Sequence, residues 1–189
     1  SINTLKHLQK MLLQNILYKI ELPDYIYGAT KGRDNVMNGK RHQGNKFIFT
    51  TDLKDFFPTI SHKMVFDMFR LNNFSPTVSR VLTQLTTYKG HLPQGAPTSP
   101  VMANLVFLKT GDKLNKLSKA NKITFTTFID DLTFSSKSDF KPLAQLFIEI
   151  IRKDRYLLSH NKTNYKTKNP IVTGVIVKNN NVSLTKAFK

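Results

Sequence analysis

Apolar positions recur at helical spacing from Leu5 to Ile20 and stop before Pro23, which predicts a first helix. From Gly28 to Gly44 the periodicity vanishes among glycines, polar residues and bases, as in a loop or irregular ribbon. Lys46–Leu53 then alternates and is rich in Phe, Ile and Thr, the pattern of a strand that delivers Asp52 at its end. Ser61 reads as the cap of a helix over His62–Arg70, and Ser75-Pro76 as the start of another over Thr77–Tyr88. Three prolines and a glycine keep Leu92–Pro100 out of regular structure, and Ser99-Pro100 opens the longest predicted helix, Val101 to Ala120. Ile123–Ile129 and Leu132–Ser136 predict a hairpin with Asp130 and Asp131 at its tip. Lys141–Lys153 is amphipathic at helical period. Ile171–Val177 and Val182–Leu184 flank Asn179-Asn180-Asn181 and predict a closing hairpin. This order argues for an α+β fold, a mainly antiparallel sheet backed by helices.

Composition narrows the function classes. Lys plus Arg number 29 against 12 Asp plus Glu, a formal net charge of +17. The bases are spread over Lys31–Arg33, Lys40–Lys46, Lys109–Lys122 and Lys162–Lys168 rather than gathered in a tail, which suits a broad surface for a polyanion such as nucleic acid. Cysteine is absent, excluding disulfides, thiolate zinc sites and a Cys nucleophile, and fitting a reducing cytoplasm. No apolar run is long enough to cross a bilayer, and no repeat or low-complexity block marks a linker.

With so few acids, their placement carries weight. Adjacent Asp130 and Asp131 between apolar strands repel one another unless a cation neutralises them. Magnesium takes one or two carboxylates together with substrate phosphates, and Asp52, at the end of another strand, completes the donors for two ions about 3.5–4 Å apart. By spacing alone an ordinary polar turn explains Asp130-Asp131 equally well. His42 and His62 have no partner at metal-ligand spacing and read as structural or surface residues.

Longer motifs break that tie. Thr51-Asp52-Leu53-Lys54-Asp55-Phe56-Phe57-Pro58-Thr59-Ile60 resembles the first palm motif of bacterial reverse transcriptases of the retron and group II intron kind. Leu92-Pro93-Gln94-Gly95-Ala96-Pro97-Thr98-Ser99-Pro100, followed by Met102-Ala103-Asn104-Leu105, resembles their next palm motif. Phe128-Ile129-Asp130-Asp131 stands where the family has Tyr, any residue, Asp, Asp. Tyr27-Gly28-Ala29-Thr30-Lys31-Gly32-Arg33 is similar to the fingers segment, with Asn35 and His42 in family-like places, and Asn161-Lys162-Thr163 to the lysine-bearing palm motif. Val172-Thr173-Gly174 is similar to a triplet of retron-type enzymes and puts that subfamily first.

The resemblance implies a right-hand polymerase with fingers over residues 1–46 and 69–92 and palm over residues 47–68 and 93–189. It implies Asp52, Asp130 and Asp131 as catalytic metal ligands for two Mg2+ ions, with Mn2+ as the substitute. Phe57 becomes the aromatic gate that excludes a 2′-hydroxyl, Gln94 and Gly95 line the nucleotide pocket, Lys31 and Arg33 grip the triphosphate, and Lys162 sits near the leaving pyrophosphate. The implied partners are an RNA template, a DNA or RNA primer, dNTPs and a structured non-coding RNA, in the bacterial cytoplasm. Two departures stand out. Phe128 replaces the usual Tyr, and the chain stops after the last palm hairpin, so the expected helical thumb is absent from it. The competing readings are untemplated or protein-primed DNA synthesis, for which Tyr18, Tyr25, Tyr27, Tyr88, Tyr156 and Tyr165 are available primers, and a non-catalytic RNA-binding module. No motif speaks to oligomeric state, and retron, intron-mobility and anti-phage programmes all use such enzymes.

Overall fold

A computed structural model describes residues 2–167, 170–177 and 182–184. In chain order its elements are α1 (Ile2–Asn15), a 3-10 turn at Leu17–Lys19, α2 (Asn35–Arg41), β1 (Phe47–Lys54), α3 (Phe56–Thr59), α4 (His62–Leu71), α5 (Pro76–Thr86) and α6 (Ser99–Ala120). There follow β2 (Thr124–Phe128), β3 (Asp131–Ser136), α7 (Lys141–Lys153), β4 (Leu157–Leu158), a 3-10 turn at His160–Lys162, β5 (Asn164–Lys166), β6 (Ile171–Val172), β7 (Val175–Val177) and β8 (Val182–Leu184). The chain divides into two units, each built from two stretches: Ser1–Leu22 with Asp55–Leu108, and Pro23–Lys54 with Lys109–Lys189.

The first unit is helical. Ser61 accepts from the Met64 N–H and starts α4, whose Val65, Met68 and Phe69 form one buried face at helical spacing. Ser75 caps α5 in the same way, with Pro76 in its first turn. The buried face of α5 carries Thr83 and Thr86, and their hydroxyls donate to the Ser79 and Leu82 carbonyls, which removes the cost of burying them. Gln9 of α1 donates to the Leu85 carbonyl at 2.8 Å and ties the two helices together.

The second unit is a sheet of order β2-β3-β1-β4, with β5 also paired to β1. These strands pair antiparallel, and the register sets Phe47 opposite Ser136 and Asp52 opposite Asp131. Period two puts Ile48, Thr50 and Asp52 on one face of β1 and Phe49 on the other. The Phe49 face is an aromatic core: Phe134 lies 5.7 Å from Phe49, 4.6 Å from Phe125 and 4.2 Å from Phe147 of α7, the last two stacked. On the opposite face Ile48 is buried with Val172 and Val177 beneath the second sheet, of order β6-β7-β8.

Three expectations change. The Gly28–Gly44 ribbon contains a helix, α2, because the Asp34 carboxylate accepts from the Met37 N–H at 2.7 Å. Gly39 within it lowers helix propensity and masks the pattern. The closing hairpin pairs β7 with β8 antiparallel, as its sequence implied, but the Ile171–Val177 run is two strands rather than one. Thr173 and Gly174, with φ of 49° and 78°, form a two-residue turn between β6 and β7, and Asn179-Asn180-Asn181 lie outside the described residues. Asp131 is not at a hairpin tip: it is the first residue of β3, paired with Phe128, and Ile129-Asp130 alone make the turn.

Candidate active site

Three carboxylates meet at one end of the sheet in the second unit. Asp52 comes from β1, two residues before its end, and Asp131 faces it across the ladder. Asp130 precedes Asp131 in the turn, and its carbonyl accepts from the Leu53 N–H at 2.9 Å, which binds the turn to the strand carrying Asp52. Burial, with the Asp130 and Asp52 charges next, pushes the Asp131 carboxyl up to about 6. Asp130 is raised as well, first by burial and further by Asp52.

Asp52 is 5% exposed and fully engaged. The Ser159 hydroxyl donates to its Oδ1 at 2.6 Å and the Lys162 ammonium to its Oδ2 at 2.7 Å. Ser159 also donates its N–H to the Asp52 carbonyl at 2.9 Å, so the segment after β4 is fastened to this residue by backbone and side chain. The hydrogen bond to Asp52, and then the three carboxylate charges, raise the Lys162 pKa above its ordinary value. The site is therefore a carboxylate cluster joined by the Lys162 ammonium, whose side chain is 64% exposed. Beside it a cavity of about 310 Å³ is walled by Thr50, Thr133, Asp131, Lys162, Lys166 and the Thr173-Gly174 turn.

Arg33 also lies in this unit, but its guanidinium points home. Nη1 donates to the carbonyls of Pro23, at 2.8 Å, and of Ile26, and the group sits over the Tyr27 ring with 5.6 Å to its centroid. Lys31 is exposed on the loop between them. Phe57, Gln94 and Gly95 belong to the first unit. Phe57 is half-buried in α3, 5.9 Å from the Phe56 ring, and Gly95 has φ of 85°, a turn conformation that favours glycine.

Sequence reasoning overlooked one group here, Ser159, and left His42 between a structural and a surface role. Ser159 carries no local signal, because it becomes a partner of Asp52 only through the β1–β4 pairing. His42 is fully buried and bridges two strands: Nδ1 meets the Ser135 hydroxyl and Nε2 the Thr126 hydroxyl, each at 2.7 Å.

The donors are hard oxygens that crowd and raise one another, which suits a magnesium-like ion. Among the described residues no three acidic or histidine side chains form a cage able to hold a metal unaided. A site completed by substrate phosphates is the arrangement magnesium favours.

The chain resembles known proteins over most of its length. Retron Ec86 reverse transcriptase of Escherichia coli is 34% identical over 161 residues, covering 84% of this chain and 50% of that protein. Retron Se72 reverse transcriptase of Salmonella heidelberg is 32% identical over 194 residues, covering 97% and 51%. The chain thus spans about half the length of the curated relatives it matches. Among solved structures, telomerase from Candida albicans with a fragment of telomeric RNA superposes with a TM-score of 0.64 at 9% identity, over 96% of this chain and 38% of that one. Apo telomerase from Candida tropicalis gives 0.61 at 12%, over 96% and 39%. At those identities the likeness concerns the fold, the expected palm and fingers. The family described as reverse transcriptase (RNA-dependent DNA polymerase) matches residues 2–177, and the chain belongs to it.

Proposed function

We propose that this chain carries the nucleotidyl-transfer site of a retron-type RNA-directed DNA polymerase acting in the bacterial cytoplasm. The observation that carries the reading is the convergence of Asp52, Asp130 and Asp131 on one end of the sheet, with the Lys162 ammonium among them. The reaction is attack of a primer 3′-hydroxyl on the α-phosphate of a dNTP, opposite an RNA template held through its backbone and A-form shape. Asp52 and Asp130 are the principal ligands for two Mg2+ ions, with Asp131 beside them and Mn2+ as the substitute. Bound metal supplies a more acidic primer hydroxyl and neutralises charge on the phosphates.

The chain's own residues do the rest. Ser159 holds the Asp52 carboxylate in one orientation. Lys162, exposed and firmly protonated, moves from Asp52 to the triphosphate and donates to the leaving pyrophosphate. Lys31 adds charge from the fingers loop that Arg33 shapes, and Arg33, while Nη1 stays on the Pro23 and Ile26 carbonyls, reaches the triphosphate through its other guanidinium nitrogens. Phe57 selects deoxyribose, and Gln94 and Gly95 form the nucleotide pocket. A structured non-coding RNA as template and primer, and a role in anti-phage defence, are what the retron-type sequence resemblance implies.

The test is magnesium-dependent addition of single dNTPs to a DNA primer on an RNA template, comparing the chain with Asp130→Asn. Template-matched addition that the variant loses supports the proposal. Addition that ignores the template points to untemplated synthesis; the exposed tyrosines Tyr18 and Tyr88 are then the first primers to substitute. RNA binding without addition points to a non-catalytic module.

A further inference from the structure

The turn between β2 and β3 is under backbone strain. It has two residues, Ile129 and Asp130, because Phe128 pairs directly with Asp131. Ile129 has φ of 58°, while Asp130 is not among the residues of positive φ. A hairpin with positive φ at its first turn position favours glycine there, and a β-branched side chain is among the least suited. Such a conformation persists only where its surroundings over-determine it.

Those surroundings are residues 25–28. Tyr27 donates its N–H to the Thr127 carbonyl and Thr127 donates to the Tyr25 carbonyl, each at 2.8 Å, so the segment is joined to β2 by an isolated parallel bridge at Ile26. Arg33 pins the same segment from its far side through the Pro23 and Ile26 carbonyls. The next residue, Gly28, abuts the turn itself. A Cβ there would stand 2.5 Å from the Ile129 nitrogen, 2.8 Å from its Cγ1 and 2.9 Å from the Phe128 carbonyl carbon. Two of these atoms are backbone and cannot swing aside. The glycine thus leaves room for the one side chain that the turn's geometry disfavours.

The geometry points to Gly28 as a positioning residue: its bare backbone, held by Thr127 and Arg33, braces the Phe128–Ile129 peptide and thereby sets where the Asp130 and Asp131 carboxylates stand. The inference rests on the reading of those aspartates as metal ligands. Gly28 touches no substrate in this scheme and acts only through the turn.

Three variants test it: Gly28→Ala, Ile129→Gly and the double variant. The readouts are the single-dNTP addition rate, Mn2+ binding followed by the free-ion EPR signal, and the melting temperature. Ile151→Ala, which empties a fully buried position on α7, is the stability control. The expected result for Gly28→Ala is a roughly ten- to hundredfold slower rate and weaker Mn2+ binding, since small misplacements of reacting groups cost that much. Ile129→Gly, which frees the turn without crowding it, also weakens Mn2+ binding but leaves melting unchanged. The two losses do not add in the double variant, because both act through one turn. Ile151→Ala lowers melting and leaves Mn2+ binding as it was. Unaltered Mn2+ binding in both single variants, or losses that add, overturns the inference. Should Gly28→Ala not fold, Ile129→Gly alone decides the question by the same Mn2+ measurement. Asp130→Asn included alongside separates the two levels. If it adds dNTPs and binds Mn2+ as the parent does, the aspartate reading fails irrespective of Gly28.

Discussion

Mild acid should destabilise the second unit through His42. Burial, with the nearby Arg41 charge next, lowers its pKa from 6.5 to about 3. An unfolded chain therefore binds one more proton than the folded chain across that window. The contribution is fully present above the unfolded pKa and is lost as pH falls below 6.5, at up to about 1.4 kcal/mol per pH unit. Between about pH 7 and pH 5 the loss comes to roughly 2 kcal/mol, or about 4–8 °C in melting temperature for a chain of this size. The measurement is calorimetric melting at the two pH values, comparing the chain with His42→Gln. Every other acid and base titrates in both proteins, so the difference between their pH dependences isolates His42. The glutamine variant should be less stable near neutrality, having lost one of the bridges to Ser135 and Thr126, but flatter toward acid. Equal pH dependences would refute the reasoning, as would an NMR titration of the His42 ring near 6.5.

Other substitutions probe separate parts of the structure. Phe147→Ala removes a ring stacked 4.2 Å from Phe134 and should cost about 3–5 kcal/mol in denaturant unfolding. Gly111→Ala puts a Cβ 2.7 Å from the Tyr25 hydroxyl, itself donating to Asp112 at 2.8 Å, and should lower melting as overpacking does, by about 1–3 kcal/mol; Tyr25→Phe in the same chain should recover part of the loss. Lys162→Met should slow dNTP addition and also lower melting, because it leaves the buried Asp52 carboxylate without its cation beside two other carboxylates.

What the sequence made legible was local. Caps at Ser61 and Ser75 marked α4 and α5, alternation marked β1, and α7 ran over Lys141–Lys153 as its period required. Asp52, Asp130 and Asp131 could be picked out because long motifs surround them. The parts that stayed hidden depend on pairing between distant segments. β4 and β5 have two and three residues, too few for a pattern, and exist because β1 offers its second edge. Arg33 reads as one base among many, and only the folded chain shows its guanidinium on the Pro23 and Ile26 carbonyls. Gly28 looks like any loop glycine until Ile129 is set beside it.

The position of β1 in the sheet has a consequence for how the protein is made. Every strand paired with β1 is encoded after it, and the Ser159 and Lys162 partners of Asp52 follow by 107 and 110 residues. At roughly 5–20 residues per second, a ribosome takes about 5–20 s to synthesise that interval. Until β3 is made the nascent Asp52 strand has neither edge satisfied, and until β4 and β5 follow it has only one, the state in which strands pair with the wrong neighbour. The Lys54 end of β1, the basic stretch before it and the polar Gly28–Gly44 segment are the available protection against such pairing. The carboxylate cluster is complete only once Asp131 is made and gains its Ser159 and Lys162 partners later still, so a ribosome stalled before Asp131 leaves a chain that holds the first aspartate without the frame that gives it a purpose.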